Sequence, residues 1–307
     1  MPDQTRSTIS ATESPALFNV SPYVTRWMLY HKFSNGLDID QPSNARMTWG
    51  KRMQPLVLAQ AAEDLRLEVI PNDETYQRRG QLGCSRDAII ICPDRGPGAL
   101  ETKCVFDWQT WMREMDGGNV LPRHYEIQLQ QQMYVGDGET PYKWGICAVW
   151  VAGDVHYFER EPIPELWTLL ETEAAGFFKS VSEKQEPDPF GAPVEIPLLT
   201  NLFTPDPEKV LDLSADKSAE DTASMARLYA KAGTDESAAK KTRETIKAKL
   251  VALAKDHGKI LLPAGISVKL SRREVKAHQR KASVSTSIKV HVPEFAEQWA
   301  ANEAEAG

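Results

Sequence analysis

Asp87, Glu101 and Lys103 are the residues of this chain whose types and spacing best suit chemistry. They interrupt the stretch at 86–105, RDAIIICPDRGPGALETKCV, which otherwise reads as two apolar strands joined by a Pro/Gly turn. Charges within buried apolar surface are costly unless they bind something. Side chains alternate along a strand at about 3.3 Å per residue, so Glu101 and Lys103 fall on one face roughly 7 Å apart and Thr102 points away. A three-residue loop of Asp94, Arg95 and Gly96 sets Ile89 opposite Glu101 and Asp87 opposite Lys103, which brings all three polar groups to one face. An even-length loop destroys that parity unless a bulge intervenes.

Two carboxylates and an amine on one sheet face suit a divalent cation. Mg²⁺ takes carboxylate and carbonyl oxygens, keeps several waters, and can hold a phosphate ester while activating a water. On this reading Asp87 and Glu101 are metal ligands, the Thr102 carbonyl is a third, and the cofactor is Mg²⁺ or Mn²⁺. Lys103 positions or activates the attacking water and balances developing negative charge. A plainer reading also fits, with Asp87 as a turn residue and Glu101 and Lys103 as a cross-strand ion pair. A second Glu-x-Lys, Glu274 to Lys276, follows charged residues instead of an apolar strand and reads as a solvated face.

Asp87, an apolar strand, a turn and Glu101-Thr102-Lys103 together resemble the PD-(D/E)XK nuclease pattern. Three further segments resemble the phage lambda exonuclease and YqaJ-like viral recombinase family: STISATESPALFNVSPY at 7–23, WGKRMQPLVLAQAAEDL at 49–65, and the glutamine-rich HYEIQLQQQMYV at 124–135. They stand in the family's order. The resemblance implies an α/β, restriction-endonuclease-like core, a central mixed sheet flanked by helices. It implies a 5′-to-3′ exonuclease acting on double-stranded DNA ends in phage-type recombination, working with a single-strand annealing protein and often as a homotrimer.

Residue by residue, the resemblance makes Gln128 the active-site glutamine that orients the lysine or binds the water. Buried amides joining neighbouring helices are the alternative. A 5′ phosphate would be held near Arg6 and Thr12. Four residues after the glycine of Trp-Gly-Lys the family usually carries a metal-binding Glu, and here that place is Gln54. An amide oxygen can ligate but supplies no charge. Arg86 stands where the family often has Pro and could touch DNA. Rival readings are an endonuclease of the same core, and a catalytically weak DNA-binding or scaffolding protein.

The remaining elements must position these groups. Residues 7–31 read as helical with a fresh start at Ser21-Pro22, 48–65 as a helix, LEVI at 67–70 as a strand, 142–161 as a hairpin and 164–184 as an amphipathic helix. Trp108, Trp111 and Met112 read as core, and His156 as structural. The proline-rich 185–207 reads as a linker between a core at 1–200 and an accessory region at 201–307. That region shows helical patterns at 208–232 and 236–257, then two strands around a basic cluster of Lys269, Arg272, Arg273, Lys276, Arg280 and Lys281, which suits phosphate.

At 307 residues and 41% hydrophobic content the chain can fill a real core. A net charge of -7 counts against a protein that coats nucleic acid, yet allows an enzyme with a local basic groove. The absence of an 18-residue apolar run and of an apolar leader points away from the membrane and towards the cytoplasm. Cys84, Cys92, Cys104 and Cys147 lack metal spacing and read as buried free thiols of a reducing compartment.

Overall fold

A computed structural model describes residues 7–39, 44–72, 75–115, 120–232, 239–275 and 283–291. Two units separate within it, Met1–Pro187 and Asp188–Gly307. The first runs β1 (Ile9–Ser10), α1 (Ser14–Leu17), α2 (Arg26–Asn35), α3 (Ala45–Leu65), β2 (Glu68–Pro71), β3 (Gln77–Arg79), β4 (Leu82–Cys84), β5 (Ala88–Cys92) and β6 (Gly96–Val105). It continues with α4 (Trp108–Glu114), α5 (Arg123–Val135), β7 (Gly145–Val151), β8 (Asp154–Arg160) and α6 (Pro164–Ser182).

The main sheet has the order β2-β5-β6-β7-β8, antiparallel except between β6 and β7. Parallel neighbours require a crossover, which α4 and α5 provide. On one face Val57, Leu58 and Ala61 of α3 pack on Ala88, Ile90, Leu100, Ile146 and Ala148. On the other, Leu129 and Met133 of α5 join Ala99, Cys147, Val149, Trp111 and Phe158. The strands are covered on both faces, which explains the unbroken isoleucine run. This is a central mixed sheet flanked by helices, as the α/β expectation has it.

The β5–β6 hairpin departs from expectation by two residues. Gly96, at φ +74°, ends the turn and pairs with Cys92, so the loop is Pro93, Asp94 and Arg95. Ile89 therefore faces Ala99, and Ala88 faces Leu100. β5 starts only at Ala88, whereas β6 continues alongside β7 to Val105. Among the described residues, no strand pairs with the β5 side of Glu101–Val105.

Residues 7–31 do break into two helices, but the second starts at Arg26 rather than at Ser21-Pro22, and the segment opens as a strand. Ile9–Ser10 pairs in parallel with Leu82–Gly83 in a small sheet of order β1-β4-β3, which the sequence did not reveal. α1 is one turn from Ser14, with Pro15 at its start and Asn19 at φ +53° after it. α2 starts afresh where Thr25 accepts a hydrogen bond from the Met28 amide. Trp111 is buried, but Trp108 and Met112, expected in the core, are 55% and 49% exposed. His156 packs against the Trp111 ring, 4.4 Å between centroids. All four cysteines are free, and only Cys84 and Cys147 are buried.

The second unit runs α7 (Ile196–Leu202), β9 (Asp206–Asp212), α8 (Glu220–Ala232), α9 (Ala239–Ala254), β10 (His257–Leu261), β11 (Ser267–Val275) and β12 (Ser283–His291). Its sheet order is β12-β11-β10-β9. The expected linker thus contains α7, and the expected helix from 208 begins at Glu220. β9 takes its place, paired in parallel with β10, and as an edge strand it tolerates Pro207. Among the described residues, no helix is long and apolar enough to cross a membrane.

The hairpin is held from its turn end by Trp144. Its indole donates to the Gly96 carbonyl at 3.2 Å, and Arg95 lies 4.0 Å from the ring centroid. A Cβ on Gly98 would meet the indole at 2.6 Å. Gly98→Ala is therefore expected to lower stability by about 1–3 kcal/mol in urea unfolding. An unchanged midpoint would contradict this packing.

Candidate active site

The open edge of β6 leaves backbone groups that a strand would otherwise pair. Residues of β6 point their amides alternately to the two sides. The Ala99 amide bonds to the Trp144 carbonyl, on the β7 side, which sends the Thr102 N–H and C=O to the open side. Asp87, just before β5, supplies the missing acceptor. Its Oδ2 accepts from the Thr102 amide at 2.7 Å and from the Thr102 hydroxyl at 2.6 Å. Its Oδ1 accepts from Gln54 Nε2 of α3 at 2.9 Å.

Asp87 thus does not stand opposite Lys103, nor does its carboxylate share the Glu101 face. By strand alternation Thr102 is on the α3 side, and Asp87 reaches the cleft from the end of its strand. Hydrogen bonding to Thr102 draws it there.

Glu101 projects towards α5 and is 5% exposed. Its Oε1 accepts from Lys103 Nζ at 2.5 Å and Gln128 Nε2 at 2.6 Å, and its Oε2 accepts from Gln132 Nε2 at 2.6 Å. Lys103 also donates to Gln128 Oε1 at 2.9 Å and lies 5.1 Å from the centroid of the Tyr125 ring. Gln128 therefore closes a triangle with the acid and the amine. Its neighbours are structural amides, but Gln131 ties α5 to two strands, and of the two only Gln130 reaches another helix. Gln131 bonds the Ile9 and Gly83 carbonyls, and Gln130 the Glu161 carbonyl and Ile163 amide.

Burial alone would favour a neutral Lys103, but the adjacent Glu101 charge and hydrogen bond outweigh it and raise the pKa. The amine stays an ammonium. Asp87 is pushed up to about 7, first by burial and then by the Glu101 charge, against the Thr102 hydrogen bonds.

Asp87, Glu101, Thr102, Lys103 and Gln54 line one cleft of about 540 Å³. Asp87 Oδ1 and Glu101 Oε2 each have one donor, which leaves each carboxylate acceptor capacity. With the Thr102 carbonyl on the same edge, the donor set fits a hard cation that keeps much of its water. Among the described residues, no three His, Cys, Asp or Glu side chains form a metal-holding group. As oriented, Gln54 offers its N–H₂ to Asp87, and its amide would have to turn over to ligate a cation.

Thr12 is exposed at the rim of the same cleft. Arg6, Lys276, Arg280 and Lys281 lie outside the described residues, while Lys269 is exposed on β11 and Arg272 and Arg273 fall on that strand. The sequence reading set Gln132 beside Gln128 on the helix but gave it no role in the site. It missed Arg46 and Lys51 of α3, which line the cleft.

Arg86 does not face the cleft. It is 6% exposed, donates to the Gly136 carbonyl at the end of α5 and lies 5.2 Å from the Tyr142 ring centroid. A cation suits a helix C-terminus.

Residues 3–140 match the family model of the YqaJ-like viral recombinase domain. None of the curated proteins matches the chain. Among solved structures, the chain is similar to the alkaline exonuclease LHK-Exo of Laribacter hongkongensis, with 18% identity over 58% of this chain and 89% of that one and a TM-score of 0.45. The same enzyme in complex with dAMP gives 17% identity, 59% and 91% coverage and 0.47. A phage-related exonuclease of Haemophilus somnus gives 10%, 58% and 94%, and 0.47.

Arg86→Met is expected to cost about 1.5–3 kcal/mol of stability, the scale for a hydrogen bond to a charged group, with DNA affinity unchanged in a filter-binding assay. Lost affinity at unchanged stability would place Arg86 on the DNA instead.

Proposed function

With residues 3–140 carrying a YqaJ-like viral recombinase domain, we propose that this protein is a metal-dependent exonuclease that hydrolyses DNA from duplex ends, 5′ to 3′, in phage-type recombination. The observation that supports this reading most is the meeting of Asp87, Glu101, Thr102 and Lys103 in one cleft. Asp87, Glu101 and the Thr102 carbonyl would hold Mg²⁺ or Mn²⁺. When bound, the ion polarises the phosphate and lowers the pKa of a bound water.

The protein's own groups do the rest. Lys103, held charged, cannot take a proton. It donates to the attacking water or the phosphate oxygen and offsets charge in the transition state. Gln128 fixes the ammonium, and Gln132 fixes the second oxygen of Glu101. Thr12, with Arg6, would take a 5′ phosphate. Lys269, Arg272, Arg273, Lys276, Arg280 and Lys281 would give the second unit its hold on DNA. A single-strand annealing protein is the proposed partner, a homotrimer the proposed assembly and the cytoplasm the proposed location.

End-labelled linear duplex with Mg²⁺ tests the reading. Wild type should release label from the 5′-phosphorylated end and leave circular plasmid intact. Lys103→Ala should lose about 10²–10³-fold in kcat with its circular dichroism retained. Cleavage of circular plasmid would indicate an endonuclease, and an unaffected Lys103→Ala would remove Lys103 from the chemistry.

The second reading, a catalytically weak DNA-binding protein, draws on Gln54, which brings Asp87 an amide where the family brings a carboxylate. Gln54→Glu should lower the metal concentration for half-maximal cleavage several-fold, because an added carboxylate strengthens a hard-cation site. Unchanged metal dependence would show that this side chain does not face the ions.

A further inference from the structure

Gly50 lies inside α3, where glycine is the least favourable residue after proline. Its backbone does not call for glycine, since Gly50 is absent from the positive-φ glycines of the described chain. Nor does packing call for it. A Cβ there would meet no atom of the described residues within 4 Å.

Its position supplies a reason. Met47, Gly50, Lys51 and Gln54 recur at helical spacing and line the cleft together, with Arg46 beside them. Gly50 is thus one turn from Gln54, which holds Asp87. The stripe offers two cations, an apolar side chain and a stretch of bare backbone. That combination suits a charged polymer pressed closely against the helix, and glycine is used where another backbone approaches.

Building on the nuclease reading, we infer that Gly50 is where the sugar-phosphate backbone of the bound DNA strand rests on α3, with Lys51 and Arg46 on its phosphates. The missing side chain sets how deeply the strand sits above Asp87 and Glu101. Gly50 is a specificity-determining contact, and a methyl group there lifts the strand away from the acids.

This predicts opposite signs for stability and function. Gly50→Ala should raise Tm by about 2–4 °C through helix propensity. It should also raise KM for linear duplex about tenfold, since misplacement of the order of 1 Å is costly. Gly50→Met, also a good helix former but far bulkier, should raise KM further. Gly176→Ala in α6 is the control, because its Cβ would meet only Arg26 Nη2, at 3.9 Å, among the described residues. It should gain stability and keep wild-type KM.

Wild-type KM in Gly50→Ala, with wild type cleaving normally, overturns this inference and spares the nuclease reading. A Gly50→Ala variant less heat-stable than wild type overturns it too, because the fold itself would then need the glycine. Wild-type protein that neither binds nor cuts DNA overturns both.

Discussion

β5 begins at Ala88, and β6 runs on beside β7 to Val105 with no strand on its other side among the described residues. A buried N–H without an acceptor costs about as much as a lost hydrogen bond, so the Thr102 amide needs a partner. The Asp87 carboxylate provides it, and the Thr102 hydroxyl adds a second bond. Much of the site follows from this substitution of a side chain for a strand. An acid is fixed in the plane where the sheet splits, beside the next acid along β6.

Placing Asp87, Glu101 and Lys103 together is unfavourable unless each charge is met. Glu101 is met by one ammonium and two amides, and Lys103 by that carboxylate and an amide. The glutamines of α5 make this affordable. They are buried yet neutral, and each side-chain amide donates to an acceptor outside α5. Asp87 is met by three neutral donors and no ammonium, and burial and the Glu101 charge raise its pKa. On the proposed reading, a cation between Asp87 and Glu101 would offset that charge.

The parts legible in the sequence were those with strong periodicity. The isoleucine run, the apolar stripe of the glutamine helix and the long helix ending at Leu65 each announce one element. The hairpin was legible in parity but not in register, because only the backbone conformation of Gly96 decides which residue closes the turn. The direction of Asp87 was not legible. Alternation governs residues inside a strand, and Asp87 lies just outside one, where hydrogen bonding to Thr102 decides. The short strands β1, β3 and β4 escaped because two or three residues carry no period. β9 escaped because a partner strand, not propensity, makes DPEKVLD extended.

The central claim is that Asp87 and Glu101, arriving from different directions, grip one cation. Mn²⁺ binding followed by electron paramagnetic resonance in wild type, Asp87→Asn, Glu101→Gln and the double variant tests it without any turnover. The account predicts that either single change abolishes the tight site and that the double variant is no worse than the singles. Independent, additive losses, or tight binding that survives the removal of either carboxylate, would contradict it.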